Sequence, residues 1–131
     1  MDLYRDKIIE FMKISKGKDI FCFDTETTGL LGKSERVDII EFSCIKISFG
    51  EAGYTITDSL DLFINPGYPI PAEILQFNLA NNTGITQEKI DLEGVTQKEA
   101  VKIIKDFWGE TPILIGYNSK SFDEPLVIDL F

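Results

Sequence analysis

The chain has 131 residues, which suits a single small domain, residues 1–131, with a buried core. Hydrophobic residues make up 44% and charged residues 27% of the chain, as in an ordinary globular protein, and no apolar run approaches the ~20 residues of a bilayer-spanning helix. The net charge of −9 excludes the basic surface of most nucleic-acid binders, so such a ligand would bind weakly, through metal ions, or with positive charge from further sequence or a partner.

The amino-terminal segment is predicted to form a leading helix, within residues 1–17, outside the main fold. Its apolar side chains recur at helical spacing, at Tyr4, Ile8, Phe11 and Met12. Gly17 is a suitable residue to end this helix. The first residues lack a signal-peptide profile, so we expect a cytoplasmic protein that does not bind a membrane.

Three strands are predicted next, over residues 19–24, 37–48 and 54–64. The middle strand is too apolar for a surface position and should lie inside the sheet. Short turns between sequential strands imply an antiparallel meander. The two cysteines, Cys22 and Cys44, fall in separate strands and are expected to be buried free thiols rather than a disulfide or a metal site.

Helices are predicted in the region that follows the meander. A short helix is expected over residues 71–78, and Thr86 is expected to cap another. Thr96 and Glu99 have the spacing of a capping box, which opens a longer helix through Trp108. We assign the Trp108 side chain to the core rather than to base stacking, because an aromatic stripe at helical spacing usually packs inward.

The chain closes with a predicted strand at residues 113–115 and the start of a helix at Ser121 or Asp123. An antiparallel meander followed by a helix-linked strand indicates an α+β or mixed α/β sheet. The carboxylate of Asp123 therefore follows the end of a strand.

Two further carboxylates, Asp24 and Glu26, follow the apolar run at residues 20–23 with a spacing of i and i+2. Alternate residues of a strand share a face, so these side chains project together from backbone positions about 7 Å apart, at a rise of ~3.3 Å per residue. That arrangement suits one hard divalent cation. The alternative is an acidic turn, because Asp and Thr favour strand ends.

Four segments with recognisable sequences occur in order along the chain. They are Asp24-Thr25-Glu26-Thr27-Thr28-Gly29-Leu30, then Arg36-Val37-Asp38-Ile39-Ile40-Glu41-Phe42, then Asn65-Pro66 with Thr83-Gly84-Ile85-Thr86, and last Gly116-Tyr117-Asn118-Ser119-Lys120-Ser121-Phe122-Asp123. On these segments the chain resembles the DnaQ-like 3′-to-5′ exonucleases of the DEDD superfamily, over roughly residues 19–131. The Gly-Tyr before Asn118 and the longer spacer before Phe122 are most similar to the exonuclease I branch.

This resemblance implies the mixed α/β class with a ribonuclease H-like fold, in which helices flank a central mixed sheet, here truncated after the second motif. It also implies phosphodiester hydrolysis with two Mg²⁺ or Mn²⁺ ions. Asp24 would bridge both ions, Glu26 would ligate one, and Asp123 would act on the other through water. These three are the predicted catalytic and metal-binding residues.

The resemblance also implies which residues would contact the substrate, a single-stranded nucleic acid 3′ end, with DNA favoured over RNA. They are Thr25, Thr27, Thr28, Leu30 and Asn118. Thr27 and Thr28 could equally be turn residues, and Asn118 could order its own loop through side-chain to backbone hydrogen bonds. A polymerase or another replication or repair protein is the expected partner.

The chain departs from the family pattern because the family's third motif is absent. In the family, that motif supplies a His or Tyr as general base and a last metal-binding Asp. The sequence contains no histidine. Asp129 is not a substitute, because six positions along a helix rotate it well away from Asp123. We therefore expect weak or no activity from this chain alone, and the alternative function is a catalytically inactive binding or interaction module.

Overall fold

The computed structural model describes residues 6–7, 9–10, 13, 17–29, 36–110 and 112–116. Four strands are present: β1 (Asp19–Thr27), β2 (Ile39–Gly50), β3 (Gly53–Phe63) and β4 (Ile113–Gly116). Three helices lie between β3 and β4: α1 (Ala72–Ala80), α2 (Gln87–Glu93) and α3 (Gln97–Trp108). The described residues from 6 to 13 are helical and exposed, as the leading helix requires, while its apolar positions and the predicted last helix lie outside the described residues.

The four strands form one mixed sheet in the order β3-β2-β1-β4. β1 pairs with β2, and β2 with β3, in antiparallel orientation, while β4 lies parallel to β1. The predicted meander with an internal second strand is therefore confirmed. β1 continues three residues further than predicted, to Thr27, because Thr25 pairs with Phe42 and Glu26 with Glu41 before a bulge.

One face of the sheet packs against α3 and forms the larger core. Phe23 stacks on Phe42 with ring centroids 5.8 Å apart, and Trp108 of α3 meets both rings edge-on. Ile104 and Ala100, one and two turns before Trp108, complete the contact. The prediction that Trp108 belongs to the core is confirmed.

A second buried cluster connects β2 with the α1 and α2 region, through Ile40, Ile70, Ile85 and Ile90. The predicted helix starts are confirmed by their caps. Thr86 Oγ1 accepts a hydrogen bond from the Lys89 amide, and Thr96 with Glu99 forms a complete capping box. Within the described part of the chain, no helix is long and apolar enough to cross a membrane.

The two cysteines are free thiols, as predicted. Cys44 is buried, and burial raises its pKa to about 11. Cys22 is only half-buried, because alternation along β1 places it on the opposite face from the α3 core. The prediction that both thiols are buried is therefore wrong for Cys22.

Candidate metal and substrate site

Asp24 and Glu26 belong to β1, and their carboxylates project from the sheet face opposite α3. Asp24 pairs with Ser43 of β2, and Glu26 pairs with Glu41. Asp24 is exposed and its Oδ1 accepts a hydrogen bond from the Thr25 amide at 2.9 Å, while Glu26 is half-buried. The alternative of an acidic turn is wrong, because both residues keep the extended pairing of a strand.

The parallel strand β4 brings Gly116, the first residue of the second motif, next to β1. Its last pair joins Gly116 to Phe23, so β4 ends one residue before the level of Asp24. The carboxyl ends of both strands therefore meet at one edge of the sheet. Asp123, Asn118 and Leu30 lie outside the described residues.

The described part of the chain contains no group of three or more Cys, Asp or Glu side chains with the arrangement of a metal site. Asp24 and Glu26 nevertheless offer the hard oxygen donors that Mg²⁺ and Mn²⁺ prefer. Their donor chemistry fits the implied ions, and the pair needs further oxygen ligands to complete a coordination sphere.

Glu41 and Asp61 extend the acidic surface across the sheet, and the sequence analysis missed both. Burial raises the pKa of Glu41 to about 8, with the hydrogen bond to Asp61 and the negative charges of Asp61 and Glu26 acting in the same direction, while Lys89 opposes them. Ser43 also donates a hydrogen bond to Asp61, at 3.1 Å. Alternation along β2 could have indicated that Glu41 and Ser43 share a face, but the pairing of Glu41 with Glu26 depends on the strand register.

We predict that Glu41 makes the metal-free protein less stable as pH rises. An unfolded Glu titrates at about 4.3, so between that pH and about 8 the folded state holds a proton that the unfolded state has released, and stability is lost across this window. Glu41→Gln cannot ionise and can still donate to Asp61. In thermal melts with EDTA, its melting temperature should therefore exceed that of the parent protein by a margin that grows with pH.

The control for this pH experiment is Glu51→Gln, because Glu51 is exposed in the turn between β2 and β3. The melting temperature of this variant should change with pH in the same way as that of the parent protein. If the melting temperatures of Glu41→Gln and the parent differed by the same amount at every pH, this would contradict the prediction that folded Glu41 retains its proton.

A shallow apolar groove of about 480 Å³ lies beside Asp24 on the same face. Its lining includes Cys22, Ile45 and Ile115, with Asp24 and Ser43 at the polar end. The groove therefore places an apolar surface next to Asp24.

The threonines after Asp24 are buried or make hydrogen bonds within the protein. Thr25 is 6% and Thr28 3% exposed, and the Thr27 hydroxyl donates a 2.8 Å hydrogen bond to the Gly29 carbonyl. The Thr28 hydroxyl contacts the Tyr68 hydroxyl at 2.9 Å and accepts from the Asp38 amide at 3.0 Å. The side chain of Thr28 therefore fixes the end of β1, and any contact of this residue with a substrate would come from its backbone.

The mixed sheet, with two carboxylates on β1 and a parallel β4 beside it, is that of a ribonuclease H-like fold. The family model described as exonuclease (RNase_T) matches residues 21–128, and the chain belongs to this family. The resemblance to DnaQ-like exonucleases is thereby confirmed. No curated protein matches the chain.

Solved structures of exonuclease I have the same fold. Exonuclease I from Methylocaldum szegediense is 22% identical, with a TM-score of 0.67 over 86% of this chain. E. coli exonuclease I in complex with a dT13 oligonucleotide is 19% identical with a TM-score of 0.65 over 86%, and the metal-free E. coli complex with single-stranded DNA is 20% identical with the same score and coverage. This chain spans 23% of the length of each of these proteins.

Proposed function

We propose that residues 1–131 are the amino-terminal part of the catalytic domain of a metal-dependent 3′-to-5′ exonuclease. The observation that carries this proposal is the placement of Asp24 and Glu26 on one strand face, next to the end of the parallel strand β4. Family membership supports the same reaction.

The reaction is hydrolysis of the last phosphodiester bond of a strand. Two divalent ions in such a site supply charge stabilisation for the entering and leaving oxygens and a lowered pKa for the attacking water. Asp24, on the exposed side, would hold both ions, and Glu26 would hold one. Asp123 is proposed as the third carboxylate, which would act on the second ion through water.

The proposed substrate is the 3′ end of single-stranded nucleic acid, with DNA favoured over RNA. E. coli exonuclease I has been solved with single-stranded DNA, and a related structure is an ExoI/SSB-Ct complex. The backbone of Thr25–Thr28, with Leu30, would lie against the terminal nucleotide. Asn118 is proposed to support this contact, and a replication or repair protein such as a polymerase is the proposed partner.

The proposed metal site is tested by calorimetric titration of the chain with Mn²⁺. We expect weak binding that Asp24→Asn abolishes, because the substitution removes the carboxylate that would contact both ions. Asp123→Asn should likewise reduce the thermal stabilisation that Mn²⁺ gives to the folded protein.

Asp58→Asn is a matched control for the metal titration. Asp58 is an exposed strand residue whose Oδ1 accepts a hydrogen bond from the next amide, as that of Asp24 does, but it lies opposite Lys46. Its variant should bind Mn²⁺ as the parent does. Equal heats from the parent and Asp24→Asn would remove the metal site.

The second candidate function is a binding or interaction module that has the fold without catalysis. The net charge of −9 favours it, because nucleic-acid binders gain most of their affinity from a basic surface that neutralises phosphates. The two candidates differ in whether the protein releases nucleotides.

A further inference from the structure

A closed hydrogen-bond network joins the end of β1 to the residue before β2. The Thr28 amide donates to the Asp38 carbonyl at 2.9 Å, and the Asp38 amide donates to Thr28 Oγ1 at 3.0 Å. Two residues that are ten positions apart in the sequence are thus fixed to each other directly after the strand that carries Asp24 and Glu26.

Tyr68 completes this network, and its single hydroxyl proton determines the direction of each bond. Tyr68 Oη donates to Asp38 Oδ2 at 2.7 Å. The 2.9 Å contact between the Tyr68 and Thr28 hydroxyls must then use the Thr28 proton, with Tyr68 Oη as acceptor. Burial raises the pKa of Tyr68, which keeps the hydroxyl protonated.

The Asp38 carboxylate is also fixed by two other parts of the fold. Arg36 Nε donates to its Oδ2 at 2.6 Å, and Gln97 at the start of α3 donates to its Oδ1 at 3.1 Å. The Arg36 guanidinium lies over the Tyr68 ring, 4.7 Å from the centroid. Contacts from α3 and from the loop after β3 therefore help to fix the position of Thr28.

We propose that Asp38 and Tyr68 are positioning residues for substrate binding. They fix Thr28, and through it the backbone of Thr25–Thr28 that would lie against the terminal nucleotide. The inference rests on the proposed function. Neither residue needs to touch the substrate or the ions, since they act through Thr28.

If Asp38 and Tyr68 had a purely structural role, their variants would behave differently. Loss of a hydroxyl that only stabilises the fold would lower the melting temperature equally with and without ligand, and would leave the affinity of the folded protein for nucleic acid unchanged. A positioning role changes that affinity at a temperature at which the variant is folded, while Mn²⁺ still binds.

Tyr68→Phe tests the proposal, because it keeps the ring and its contact with Arg36 and removes only the hydroxyl. The probe is 5′-fluorescein-labelled oligothymidylate whose last linkage is a phosphorothioate, measured by anisotropy with Mn²⁺. We expect its affinity to fall about threefold to tenfold, because the substitution removes both partly buried hydrogen bonds of the hydroxyl and each contributes only a modest net free energy. Mn²⁺ binding measured by calorimetry should stay unchanged.

Tyr54→Phe is the matched control, since Tyr54 is 49% exposed at the other end of the sheet, and it should bind the probe as the parent does. Asp38→Asn provides a second test of the network. If both residues act through Thr28, the double variant should lose no more affinity than the weaker-binding single variant.

Three outcomes would overturn the inference. Unchanged probe affinity in folded Tyr68→Phe, or fully additive losses in the double variant, would overturn the positioning role and leave the proposed function intact. A parent protein that binds no probe in Mn²⁺ would instead overturn the proposed function, and the positioning role with it.

Discussion

Replacing Phe42 with alanine should destabilise the fold by about 3–5 kcal/mol, the usual cost of removing a fully buried aromatic side chain. Phe42 is fully buried, stacks on Phe23 and meets Trp108 edge-on. Because its neighbours are packed against each other, they cannot move into the cavity that the substitution leaves. It also pairs across the strands with Thr25, the residue between the two carboxylates. Since domains are stable by roughly 5–15 kcal/mol, much of the total stability would be lost.

Urea denaturation measures this loss, with Phe77→Ala as the matched control. Phe77 is 58% exposed on α1, so its replacement should change the free energy of unfolding by no more than about 0.5 kcal/mol. Similar losses from both variants would contradict the assignment of the α3-facing cluster as the main core.

The sequence could predict the meander and the carboxylate pair because both depend on local patterns. The high apolar content of β2 predicts an internal strand, and the i, i+2 spacing predicts a shared face for Asp24 and Glu26. The end of β1 was predicted too early, because polar residues from Asp24 onward look like a turn. Pairing with Glu41 and Phe42 decides their conformation, and pairing is not a local property.

The neighbours of the site could not be predicted from the sequence for the same reason. Glu41 meets Asp61 only through the register of β2 and β3, and Gln97 reaches Asp38 across 59 residues of sequence. The Tyr68 hydroxyl meets Thr28 across 40 residues. Spacing rules for helices and strands contain no information on such contacts.

The largest expected effect concerns catalysis. In Mn²⁺, this chain should trim labelled single strands from the 3′ end very slowly or not at all, while a longer version with the family's third motif should trim them at least about 10²- to 10⁴-fold faster. General-base assistance alone is worth that factor, and a completed set of metal ligands should add to it. Gel analysis of the labelled products over time measures both rates.

Glu26→Gln should abolish trimming by the longer version, which would rule out a contaminating nuclease. Glu88→Gln, which changes an exposed acid in the first turn of α2, should leave trimming intact and so show that the loss is specific to Glu26. Strong trimming by the 131-residue chain itself, lost in Glu26→Gln, would mean that a residue of this chain serves as the base. A longer version that binds single strands without shortening them would instead favour the interaction module, because the fold and the carboxylates would then be present without the reaction.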